Sequence, residues 1–128
     1  MRFFISTLAL LCLNATISFG QVTTSALSPA GHNDCQCSTL SWTQTVDDLY
    51  TDGILLVNVA TAINSTSMVS VQYAGYNLSL LATQSINGHG KNFVYYLLAP
   101  VSGTNTVTIT IDRSDDIGAA STVFYGVN

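Results

Sequence analysis

The sequence predicts an all-β fold, an antiparallel sandwich of two sheets, and three observations carry that prediction. Apolar residues recur at every second position, most clearly in residues 92–111, NFVYYLLAPVSGTNTVTITI, where two alternating runs flank a turn containing Pro and Gly. Clusters of Gly, Pro, Asn and Asp separate such runs at a spacing of roughly ten residues. No window of helical length carries an apolar stripe at i, i+3, i+4 and i+7 with capping residues.

The elements follow in chain order. Arg2, the apolar run 3–13 and the small residues Ser18 and Gly20 form a signal peptide over 1–20, with cleavage between Gly20 and Gln21. A membrane span needs about 20 mostly apolar residues, and Asn14, Thr16 and Ser18 interrupt this run. Lipid attachment at Cys12 would need a small residue before it, and Leu11 is not small. Residues 21–38 show no periodicity and read as a polar leader. The folded module then occupies 39–128. Leu40, Trp42 and Val46 point one way from a first strand that ends near Asp47, Asp48, Asp52 and Gly53. Residues 54–60, ILLVNVA, form a nearly continuous apolar run and read as a central strand buried on both faces.

Alternation resumes in MVSVQY, 68–73, with Val69, Val71 and Tyr73 on one face. After the Ala74-Gly75 turn, YNLSLLA at 76–82 forms a short crossing strand, and Asn87-Gly88-His89-Gly90 a loop tip. The next strand, 93–98, ends before Pro100, because proline would remove a ladder donor. Val107, Ile109 and Ile111 alternate with threonines, so that strand has one face in the core. Residues 112–118 read as an acidic loop, and 119–127 as a last strand. About seven short strands fit a sandwich of jelly-roll or immunoglobulin-like type.

Composition narrows the function classes. Beyond the signal, Lys91 and Arg113 are the fixed cations against seven aspartates and no glutamate, a balance that offers nothing to a phosphate backbone, so no nucleic-acid partner is expected. No membrane span is expected after signal removal.

Cys35 and Cys37 form a C-x-C pair in H-N-D-C-Q-C. In an oxidising compartment they are a candidate disulfide with each other or with another chain, with a metal site including His32 and Asp34 the weaker alternative. The aspartates at 47, 48, 52, 112, 115 and 116 lie in turn-like segments, where aspartate bonds the local backbone. The same residues are the candidate ligands of a structural calcium, although D-R-S-D-D lacks the order of a calcium loop. His32 and His89 have no G-x-S-x-G partner, so neither builds a serine triad. The aromatics Trp42, Tyr50, Tyr73, Tyr76, Tyr95, Tyr96 and Tyr125 include the candidates for stacking on sugar rings, Tyr76 and Tyr96 first among them.

Three blocks carry a family likeness: VSVQYAGYNLSL at 69–80, KNFVYYLLAPVSGTNTVTITI at 91–111, and VFYGV at 123–127. With ILLVNVA, they resemble a widespread, mostly uncharacterised β-sandwich module of bacterial exoproteins, and the signal ending in Gly-Gln is similar to those of Bacteroidetes exported proteins. The resemblance implies secretion or cell-surface display and no active site. It also implies further strands after the F-x-G-V element, so the module is expected to be truncated at its C-terminus. The expected role is a non-catalytic extracellular module for spacing, display or adhesion, with no cofactor, partnered by polysaccharide or neighbouring modules. The alternative is the carbohydrate-binding module of a larger secreted enzyme.

Overall fold

A computed structural model describes residues 23–24, 31–49 and 52–126. The signal segment, its Gly20–Gln21 cleavage site, Cys12 and Tyr50 lie outside the described residues. Eight strands follow one another, with no helix among the described residues: β1 Thr23–Thr24, β2 Gly31–Val46, β3 Ile54–Thr61, β4 Met68–Tyr73, β5 Tyr76–Asn77, β6 Ser79–Ser85, β7 Lys91–Leu98 and β8 Gly103–Tyr125. All pairings are antiparallel, and they join the strands into one continuous sheet.

The last strand organises the rest. Fully extended, its 23 residues would reach about 75 Å, whereas a chain of this length packs to a radius of gyration near 14 Å, so β8 has to bend. It does so after Ile111, where a single residue of β2, Ser38, faces residues 111–114 of β8. β2 runs along β8 on both sides of this bend. Since a strand has only two edges, β4 (on 107–111) and β3 (on 117–124) take the other edge in turn. One half of the sheet is β5-β4-β8-β2, and the other is β6-β7-β3-β8-β2. The chain from β5 into β6 passes from pairing with β4 to pairing with β7 through buried Leu78, which nearly closes the sheet on itself.

The two halves share one core. From 107 onward the odd positions of β8 are buried except in the bend, with Val107, Ile109, Ile111, Ile117, Ala119, Val123 and Tyr125 set against Leu55, Val57 and Val59 of β3, Val71 and Tyr73 of β4, and Phe93 of β7. Full burial of each such aliphatic side chain stabilises by about 1.5–3 kcal/mol. Polar groups inside this core are matched. The Trp42 indole N–H donates to Ser121 Oγ at 2.8 Å, and Ser121 donates to Gln44 Oε1. The backbone N–H of Asp47 donates to the Tyr125 hydroxyl at 2.7 Å, and the Tyr73 hydroxyl donates to Val101 O at 3.0 Å. These bonds tie residues of one half to residues of the other.

Four sequence expectations need correction. Residues 31–38 are not a leader but the first half of β2, paired with residues 115–121 of β8; as an outer strand their alternation is muted, Cys35 and Cys37 half-buried between exposed Asp34, Gln36 and Ser38. Residues 112–118 are not a loop: they are the bend and continuation of β8. β3 is central, between β7 and β8, yet buried on one face only, since Asn58 and Ala60 are exposed. Val69 does not join Val71 and Tyr73, because a bulge between Met68 and Ser70 turns it outward to 64% exposure. The fold is all-β and antiparallel as expected, its strands joined in one hydrogen-bonded sheet whose two halves nearly close on each other.

Candidate functional site on the outer sheet face

The strand order β8-β3-β7-β6 places four rows of outward residues side by side. Register aligns Phe124, Ile54 and Leu98; then Thr122, Leu56, Tyr96 and Ser79; then Ala120, Asn58, Val94 and Ala82; then Gly118, Ala60, Asn92 and Gln84. The first two rows are bulky and the last two mostly small, so a step forms between them. Two shallow depressions lie below that step. One, of about 230 Å³, is lined by Asn58, Ala60, Gly118, Ala119 and Ala120. The other, of about 130 Å³, is lined by Ala82, Thr83, Gln84, Asn92 and Val94. Because Asn58 pairs with Val94 and Ala60 with Asn92, the two depressions adjoin as a trough across four strands. None of the outward residues in these rows is charged.

Gly118 shapes the trough. Glycine inside a strand weakens it and usually marks a bulge, a bend or a close approach of another group. Here the register on both sides of Gly118 is regular. A side chain at this position would meet nothing within 4 Å, and its φ lies outside the left-handed region. No requirement within the fold accounts for the glycine, whereas open access to the trough does.

The two tyrosines singled out for sugar stacking are not brought together. Tyr76 pairs with Tyr73 and therefore shares the inward side of its strand, although at the sheet margin it is 57% exposed. Tyr96 points outward over the step, and its neighbour Tyr95 packs against the core, where burial pushes its hydroxyl pKa up. Opposite faces cannot form one stacking platform. The residues that do gather there, Asn58, Asn92, Gln84 and Gly118, were not singled out by the sequence, since strand order is invisible to local patterning and Gly118 sat in a segment read as a loop.

Three of the candidate aspartates, Asp47, Asp112 and Asp115, are engaged in local structure. Asp115, 2% exposed, accepts from Thr66 Oγ1 at 2.5 Å and Ile63 N at 3.1 Å through Oδ2, and from Asp116 N at 2.7 Å through Oδ1. Burial pushes its carboxyl up, but the hydrogen bonds from Thr66, Ile63, Asp116 and Ala62 together outweigh that and hold it below the usual carboxylate range. Its role is structural: it clamps the β3–β4 connection, residues 62–67, onto the β8 bend. The Arg113 guanidinium beside Asp112, with the Ser67 N–H, likewise lowers the Asp112 carboxyl. Asp47 accepts from Leu49 N at 2.9 Å in a local turn. Burial pushes the Tyr73 hydroxyl up, against a hydrogen bond from Asn105 and with Tyr125 adding to the rise.

Cys35 pairs with Cys37 across Gln36, with Cα atoms 5.4 Å apart. His89 is exposed in the β6–β7 turn, its N–H donating to Ile86 O at 2.6 Å. Among the described residues no three His, Cys, Asp or Glu side chains converge as a metal site would need. Compared with protein-family models, curated proteins and solved structures, the chain matches none.

Proposed function

We propose that this chain is an exported, non-catalytic β module of the bacterial exoprotein kind, serving surface display or adhesion, with the two halves of its sheet acting as the layers of a sandwich. It holds its partner on the outer face of β6, β7, β3 and β8. One observation carries the reading: Gly118 keeps a trough open on an uncharged face for which the fold itself has no use. An uncharged face excludes no partner by repulsion and relies on shape, apolar contact and amide hydrogen bonds. The Gly-Gln signal ending and the low charge support the extracellular placement.

A carbohydrate-binding role is the second reading, favoured by the amides of Asn58, Asn92 and Gln84 beside the outward ring of Tyr96. Amides suit sugar hydroxyls, and an aromatic ring suits the apolar face of a pyranose. The same variants test both. Gly118→Trp fills the trough without straining the backbone, and Tyr96→Ala removes the ring above it. Beads coated with the chain should adhere to cell-wall preparations, and either variant should weaken adhesion at least tenfold. Retention on neutral polysaccharides, lost in the same variants, selects the second reading. Adhesion undiminished by both substitutions would sink the assignment of this face.

A further inference from the structure

We infer that β6 is a self-association edge, pairing antiparallel with β6 of a second copy of this chain. β6 is terminal in the strand order, with β7 on one side and no strand on the other. Its seven residues, SLLATQS, are all exposed, and no charged residue or proline occurs between positions 76 and 90. Of the nine large hydrophobic side chains most exposed among the described residues, four cluster on and beside this edge: Tyr76 at 57%, Leu80 at 51%, Leu81 at 59% and Ile86 at 51%. Soluble proteins blunt open edges with charge, proline, bends or short length. The other margins differ: β5 is two residues long, and β2 holds Asp34, a register shift at Ser38 and no exposed large hydrophobic side chain among its described residues. β6 has only the bulge at Leu81, and that bulge leaves an apolar side chain facing outward.

The choice of a second copy rests on two arguments. An antiparallel edge is complementary to itself under a two-fold axis, so each molecule supplies the partner that the other needs. The chain carries a formal charge of −4, so two copies repel each other, and they do so least where residues 76–90 offer no charge. Leu80 and Leu81 would then leave water at the junction. An interface of one strand pair is small, which places it among weak, reversible associations.

Sedimentation velocity on the full chain, collected as its expression host exports it, should show a monomer–dimer equilibrium between micromolar and millimolar protein. Leu80→Lys and Leu81→Lys should each weaken the dimer at least tenfold, with Trp42 fluorescence unchanged because both leucines are exposed. Leu49→Lys, at a still more exposed site away from this edge, should leave the dimer intact. Backbone amides of β6 should exchange more slowly at high concentration. A monomer at millimolar protein overturns the inference. So does a dimer indifferent to both β6 lysines, or one that protects β2 amides in place of those of β6.

Discussion

Removing the Asp115 carboxylate tests how the two halves of the sheet are held at the bend. Three donors converge on it, and two of them, Thr66 Oγ1 and Ile63 N, meet at Oδ2. Thr66 is fully buried, so its hydroxyl has no water to turn to once the acceptor is gone. A hydrogen bond to a charged acceptor contributes about 1.5–3 kcal/mol, and a buried donor left unpaired costs its full desolvation. Counting only the two donors on Oδ2, Asp115→Ala should destabilise by about 3–6 kcal/mol. Asp115→Asn keeps one acceptor oxygen and should lose about half as much. Urea unfolding followed by the single tryptophan, Trp42, reads both values.

The pH dependence gives an independent check. The folded carboxyl sits below its unfolded range, so the unfolded chain binds more protons as pH drops below about 4. Stability contributed by Asp115 is therefore present above that range and is lost as pH falls through the folded value. Asp115→Asn should flatten this acid limb without abolishing it, because Asp112 is shifted in the same direction. A loss under 1 kcal/mol for Asp115→Ala, or an acid limb identical in the variant, would refute the clamp.

Three further substitutions probe the turns. Gly90 has φ +116, and a Cβ there would lie 1.9 Å from Thr61 O; Gly90→Ala should cost at least about 3 kcal/mol in urea unfolding. Gly88→Ala, at φ +78 with open space around it, should cost only about 1 kcal/mol. In the β4–β5 turn, Ala74 and Gly75 have φ values of 50° and 82°, the mirror-image hairpin geometry that favours Asn-Gly. Ala74→Asn should stabilise by about 0.5–1 kcal/mol, seen as a higher urea midpoint.

Alternation made most strands legible. Val107, Ile109 and Ile111 are buried on one side as the threonines between them required, and β7 stops before Pro100. The bend of β8 was not legible, because Asp112, Arg113, Ser114 and Asp115 have the composition of a turn. The signal was present in parity: Asp115 and Ile117 continue the odd register of Ile111, and both are buried. Cys35 and Cys37 alternate with polar neighbours in the same way, yet four hydrophilic residues around them masked a strand. The trough depended on β3, β7 and β6 lying side by side with the second half of β8, an order set by contacts distant in sequence. Local patterning identified Tyr96 as a candidate but could not separate it from Tyr76.

The strand that binds both halves is also synthesised after every strand it joins. Until residues 103–125 emerge, β1 and β2 have nothing to zip against, and only the β3–β7, β6–β7 and β4–β5 ladders can form. Pairings so remote along the chain close slowly. Under the export proposed above, that delay would keep the chain pliable during passage and lock it once β8 had come through.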